Sequence, residues 1–175
     1  MNENEITDLS RTAFLQLTEA RLAAEERADL MMMAADTDEL TGLLNLRGLL
    51  RRTRGRDWGW YVCADLDGFK AAQDQPGRGH PYGDAALIEF ADFLMMNTRQ
   101  RDMRARDLLA ARTGGDEFTI WTETRAGARR IKEAIREWAS TDGEVRSSAG
   151  IGDTKESADG ACYSDKLTRK ERRTS

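Results

Sequence analysis

The stretch Arg112-Thr113-Gly114-Gly115-Asp116-Glu117-Phe118 constrains this chain more than any other. Leu108, Leu109, Ala110 and Ala111 precede it, and Phe118, Ile120 and Trp121 follow. Two apolar strands joined by a tight turn fit that pattern. Gly114-Gly115 is expected to supply the positive φ angles of a two-residue hairpin. Glycines at a hairpin tip also let a ligand approach the backbone. Asp116 and Glu117 come next, so two carboxylates stand beside a surface without side-chain bulk. That is a suitable place for a divalent cation carrying a phosphate. An isolated Gly-Gly-Asp-Glu is equally an ordinary turn with solvated acids, and the rest of the chain decides between the two.

A second acidic pair ends another apolar run. Trp58-Gly59-Trp60-Tyr61-Val62-Cys63-Ala64-Asp65 is rich in aromatic and β-branched residues and predicts a buried strand. Leu66-Asp67-Gly68-Phe69-Lys70 follows it. Side chains alternate along a strand, so Asp65 and Asp67 point the same way, at the sheet edge. Lys70 lies just beyond and suits a phosphate as a point charge.

The remaining segments supply a framework. Residues 5 to about 35 lack Gly and Pro and are rich in Ala, Leu, Glu and Arg, which predicts a helix. Leu9, Ala13, Leu17, Ala20 and Ala24 fall near heptad spacing. A short dimeric coiled coil and an amphipathic helix lying on its own domain both fit. A helix is expected from near Asn45 to about Arg54, and a loop over 73 to 83, where both prolines lie. Asp84 to about Arg101 is helical by period, with Ala85, Ile88, Phe90, Ala91 and Leu94 on its apolar face. A second amphipathic helix runs from Thr124 or Arg125 to Ala139, a strand from Val145 to Ile151, and a basic helix from Asp159 to about Arg172. The expected organisation is an N-terminal helix over residues 1–36 and one domain over 37–175. That domain is of the α+β class, a βαββαβ core with a mixed, largely antiparallel sheet and helices covering one face.

Length and charge exclude several classes. The 175 residues allow one domain plus an appendage. A net charge of -4 argues against general affinity for nucleic acid or an anionic membrane. No apolar run approaches the ~20 residues that span a bilayer. The acidic start Met1-Asn2-Glu3-Asn4-Glu5 lacks the basic and apolar regions of a signal peptide, so a cytoplasmic protein is expected. Cys63 and Cys162 suit no zinc spacing and read as buried free thiols.

Six segments together resemble the GGDEF family of diguanylate cyclases. They are Asp38-Glu39-Leu40-Thr41-Gly42-Leu43-Leu44-Asn45, Asp65 to Lys70, Gly79-His80-Pro81-Tyr82-Gly83-Asp84, Arg112 to Phe118, Ser148-Ala149-Gly150-Ile151-Gly152 and Ala158 to Lys166. The resemblance spans residues 38 to about 170 and implies a core like that of nucleotide cyclases and polymerase palms. It implies condensation of two GTP into cyclic di-GMP, with release of pyrophosphate and with Mg²⁺ or Mn²⁺ as cofactor. It also implies a homodimer, because each site holds one GTP and the product needs two.

By similarity, Asp65, the Leu66 carbonyl and Asp116 would hold the metal. Glu117 would complete the carboxylate cluster or assist deprotonation. Phe69 and Lys70 would meet phosphate oxygens, Gly114 and Gly115 would admit the substrate, and Lys166 and Lys170 would hold the β- and γ-phosphates. Family members usually carry Arg where Lys170 stands and Gly where Arg169 stands. The guanine base would be read by Asp84 and by Gln73, which replaces the usual Asn; the intervening loop is two residues longer than usual. His80 corresponds to a residue that supports this loop. Arg104-Ala105-Arg106-Asp107 has the Arg-x-x-Asp form of the family's inhibitory product site, which implies that Arg104 and Asp107 bind cyclic di-GMP; Asp107 lies one residue further from Gly114 than is usual, and a charged, arginine-rich helix end or loop also fits. The intact carboxylates favour an enzyme. Gln73, the longer loop and Lys170 fit the alternative of a regulatory module that binds GTP or cyclic di-GMP. A structural dimerisation module built on the N-terminal helix accounts for none of the six segments.

Overall fold

The computed structural model describes residues 3–56, 58–99 and 108–174. The chain divides into two compact units, residues 1–35 and 36–175. The first is a continuous helix, α1 (Glu3–Asp36). Its side chains from residue 13 to 35 are exposed, among them Phe14, Leu17, Leu22 and Leu30.

The second unit is built on five strands: β1 (Leu44–Asn45), β2 (Trp60–Asp67), β3 (Leu108–Arg112), β4 (Glu117–Thr122) and β5 (Arg146–Gly152). The helices are α2 (Leu46–Thr53), α3 (Phe69–Gln73), α4 (Gly79–Arg99), α5 (Arg125–Glu137) and α6 (Lys155–Thr174). The helices that follow β1 and β4 have polar starts. Asn45 caps α2 by accepting from the Gly48 amide, and Thr124 caps α5 by accepting from the Gly127 amide. The sheet order is β1-β3-β4-β2-β5. Every pair is antiparallel except β1 with β3.

Four features differ from the sequence expectations. The short parallel strand β1 has no signal, because two residues show no period. Part of the segment expected as a loop is helical: α3 ends at Gln73 and α4 begins at Gly79. Pro81 sits in the first turn of α4, where the missing N–H had no intrahelical acceptor anyway. Gly114 and Gly115 do not use positive φ. A four-residue link joins β3 to β4, and a Cβ at 114 would lie 2.7 Å from the Glu117 carboxylate, the far end of a side chain that can swing aside. Finally, helices cover both faces of the sheet. Val62, Ala64 and Leu66 of β2 join the core under α4 and α5, with Phe90, Ile131 and Ile135. Cys63 faces the other way and packs with Ala158 and Cys162 of α6, while Trp121 packs with Leu49 of α2. Strand β2 is apolar on both faces over most of its length because both are buried.

Candidate active site

The β2 strand delivers its two acids to the face under α6. Asp65 stands directly across from Glu117 of β4 and from Ser148 of β5. The Leu66 amide donates to the Asp116 carbonyl, 3.2 Å, which ties the end of β2 to the hairpin link. Lys166 of α6 bonds its ammonium to Asp65 Oδ1. Asp67 is buried, accepts from the Ser148 hydroxyl at 2.6 Å through Oδ2, and leaves Oδ1 without a partner. Asp65, Asp67, Asp116 and Lys166 thus form one charged group, with Glu117 exposed at its rim.

Its electrostatics follow from crowding acids with one cation. Burial pushes the Asp116 carboxyl above its usual range, and the neighbouring charge of Asp65 pushes it further. Burial also raises Asp67, against the opposing effects of the Ser148 hydrogen bond and the Lys166 charge. Burial alone would lower Lys166, but its bond to Asp65 and the charges of Asp65, Asp67 and Asp116 carry it above the ordinary lysine value. A cavity of about 330 Å³ opens beside the group, bounded by Asp65, Glu117 and Lys166 and floored by Cys63 and Cys162. Both cysteines are free, and burial raises their thiols, Cys162 to about 12, so neither is a ready nucleophile.

The hairpin link is braced from a distance. Arg112 donates to the Gly115 carbonyl at 2.7 Å and reaches Asp38 at 3.4 Å. Asp38 also accepts from the Thr41 amide and hydroxyl. Burial opposes its ionisation, but the bonds from Thr41 and the Arg112 charge hold it below the usual carboxylate value. Sequence reasoning gave Arg112 no role; its signal was only its place beside the glycines.

The residues expected to read the base lie across β2, beside α3 and α4. Gly68, with φ +80°, turns the chain from β2 into α3, whose first residues are Phe69 and Lys70. Gln73 Nε2 lies 3.2 Å from His80 Nδ1, so the two side chains meet between α3 and α4. A Cβ on Gly83 would lie 2.6 Å from the Gln73 amide and 3.1 Å from the Phe69 ring, so α4 approaches α3 closely here. Asp84 follows on α4, exposed, and Lys70 is exposed as well. Lys170 is exposed one turn beyond Lys166. Arg104 and Asp107 lie outside the described residues.

The donor set suits a hard divalent cation: carboxylates, a backbone carbonyl and an unpartnered buried carboxylate oxygen. Among the described residues, no three His, Cys, Asp or Glu side chains converge into a group able to hold a metal by themselves. Among the described residues, no helix is long and apolar enough to cross a membrane.

The family model for the diguanylate cyclase GGDEF domain matches residues 35–172. MucR of Pseudomonas aeruginosa, a bifunctional diguanylate cyclase/cyclic di-GMP phosphodiesterase, is 39% identical over 95 residues, covering 50% of this chain and 13% of MucR. The response regulator PleD of Caulobacter vibrioides is 40% identical over 112 residues, covering 58% of this chain and 23% of PleD. The chain therefore spans less than a quarter of the length of these relatives. Diguanylate cyclase SiaD, solved with its activator SiaC from Pseudomonas aeruginosa, aligns over 95% of this chain and 72% of its own, with a TM-score of 0.63 and 26% identity. The coiled coil and GGDEF domain of DgcB from Caulobacter crescentus, in complex with c-di-GMP, aligns over 91% of this chain and 95% of its own. At 22% identity and a TM-score of 0.64, that second likeness bears on the fold alone.

Proposed function

Since the chain belongs to the family of diguanylate cyclase GGDEF domains, we propose that it condenses two GTP into cyclic di-GMP, releasing two pyrophosphates. The observation that carries the reading is the group of Asp65, Asp116 and Lys166 at the end of β2, with Glu117 opposite Asp65. In each of two condensations a 3′-hydroxyl oxygen bonds to an α-phosphorus, the bond to pyrophosphate breaks, and the hydroxyl proton is lost. Lys166 supplies positive charge for the β- and γ-phosphates, joined by Lys170 one turn on. Phe69 and Lys70, at the start of α3, meet phosphate oxygens, and Gly114 and Gly115 keep the hairpin open to the substrate. Glu117 completes the carboxylate group or takes the hydroxyl proton. Mg²⁺ or Mn²⁺, held by Asp65, the Leu66 carbonyl and Asp116, would neutralise the triphosphate and acidify the attacking hydroxyl. Asp84 and Gln73 select guanine from the α3–α4 side.

One domain holds one GTP, so two must meet about a two-fold axis. We assign that role to α1, whose exposed Leu17, Ala20 and Ala24 suit pairing with a second copy. Tethering raises the effective concentration of the second domain to about the millimolar range. Deleting residues 1–35 should give an enzyme whose specific activity climbs with protein concentration; a truncated dimer, fully active when dilute, would remove α1 from this role. The reaction itself is tested by incubating purified protein with GTP and Mg²⁺ and separating the products. A cyclic di-GMP peak is expected. Unchanged GTP at high protein concentration sinks the enzyme and leaves the binding module.

A further inference from the structure

Besides the bond from Lys166 to Asp65, a second set of contacts ties the same stretch of α6 to strand β5. Strand β5 is an edge strand. The Ala149 amide donates to Asp165 Oδ2 at 3.2 Å, and the Ser147 carbonyl accepts from Arg169 Nη1 at 3.0 Å. Asp165 and Arg169 sit four residues apart on α6 and pair with each other, Nε to Oδ2 3.3 Å. Arg169 Nη2 also donates to the Arg136 carbonyl near the end of α5, and the Arg136 guanidinium returns to Asp165 at 3.0 Å. The two side chains are only 12% and 23% exposed, so these are shielded interactions rather than surface pairs.

The first half of α6 is seated differently. A Cβ on Gly150 would lie 2.0 Å from the Cys162 amide nitrogen, and one on Gly152 would lie 1.9 Å from the Ser157 hydroxyl. That half of the helix rests directly on bare backbone. Beyond Cys162 the contact passes to Asp165 and Arg169, and Lys166 lies between them. A helix turns about 100° per residue, so fixing 165 and 169 to a strand fixes the direction in which 166 projects.

We propose that Asp165 and Arg169 are positioning residues that aim Lys166 at the phosphates and so set affinity for the triphosphate end of the nucleotide. This rests on the reading of Lys166 as a phosphate-holding group. A clamp that served only to cover the sheet edge would change stability alone.

The test compares wild type with Arg169→Ala and Arg169→Lys. Calorimetry with GTP and with GMP should show GTP affinity falling roughly tenfold in Arg169→Ala, as when an orienting partner is removed from a binding group. GMP affinity should stay unchanged. KM for GTP should rise with kcat held within about twofold. Arg169→Lys, which keeps one donor to Ser147, should recover part of the loss. Hydrogen exchange without nucleotide should quicken at the Ala149 amide and in α6 beyond Cys162. Equal losses for GTP and GMP, no loss for either, or unchanged exchange each overturn the proposal. Wild-type protein that binds no GTP removes the reading of Lys166 itself; exchange then decides whether Arg169 is a clamp at all.

Discussion

The two faces of the sheet are held by different physics, though one strand serves both. On the α4–α5 side, Val62, Leu66, Ile120, Phe90 and Phe118 are sealed from solvent. Phe90 meets Phe118 and Trp138 edge-on, each with centroids 4.8 Å apart. Burying one such side chain contributes about 1.5–3 kcal/mol. On the α6 side the apolar contact is small, Cys63 with Ala158 and Cys162, and it gives way to Asp65, Asp67, Lys166 and Arg169. Two carboxyls there are raised by burial, so folding brings them together at a cost. Alternate residues of β2 therefore do opposite jobs. The even ones anchor the strand, and the odd ones use that rigidity to hold charges that repel.

If this division holds, mutations on the two faces should separate activity from stability. Asp116→Ala should abolish turnover, by on the order of ten-thousandfold, or about 5.5 kcal/mol at 1.36 kcal/mol per factor of ten. Its melting temperature should not fall, because the variant loses a carboxyl that Asp65 already disfavours. A clear drop in melting temperature would mean that the α6 face is structural after all. Phe90→Ala should do the reverse. It should cost about 3–5 kcal/mol by denaturant titration, while the folded fraction keeps its activity. Loss of chemistry at full folding would break the comparison from the other side.

Asp84 is the exception that sharpens the division, since it rides on the helix that builds the apolar face. Asp84→Ala should weaken GTP binding by about 1–3 kcal/mol, the penalty for donors of the base left unpaired. Stability should stay as it was, because Asp84 is exposed. Equal turnover of ATP and GTP by the wild type would show that Gln73 and its longer loop have removed base selection.

Much of this was legible in the sequence, for reasons particular residues make plain. The period-two rule placed Asp65 and Asp67 on one face, and the helical period marked Phe90 and Leu94 as core. The run Tyr61, Val62, Cys63 and Ala64 predicts a buried strand and shows no polar alternation. A run without polar alternation means burial on both faces, hence helices on both. Glycine composition at the hairpin was informative but its cause was not. Neither Gly114 nor Gly115 uses positive φ. Pro81 suits a helix as well as a loop, because it stands in the first turn of α4. The contacts of Arg169 with the Ser147 and Arg136 carbonyls had no sequence signature, since any residue offers a carbonyl.

The smallest effect concerns Asp67, where the two faces differ most directly in sign. Asp67 is 8% exposed, and one of its carboxylate oxygens has no partner. Burial raises its pKa above the ordinary 3.8, against the pull of Ser148 and Lys166. A carboxyl raised in the folded state favours folding only while protonated. That contribution is complete below pH 3.8 and is lost as pH climbs through the raised value. Well above pH 3.8 the raised carboxyl therefore works against the fold, the opposite of its apolar neighbour Leu66. Asp67→Asn keeps the acceptor for the Ser148 hydroxyl and cannot ionise. Its melting temperature should exceed that of the wild type at pH 7, and the gap should close as pH falls towards 3.8. A variant less stable than wild type at pH 7 would show that attraction from Lys166 and Arg169 outweighs the cost of burial. The α6 face would then be held together by its charges rather than in spite of them.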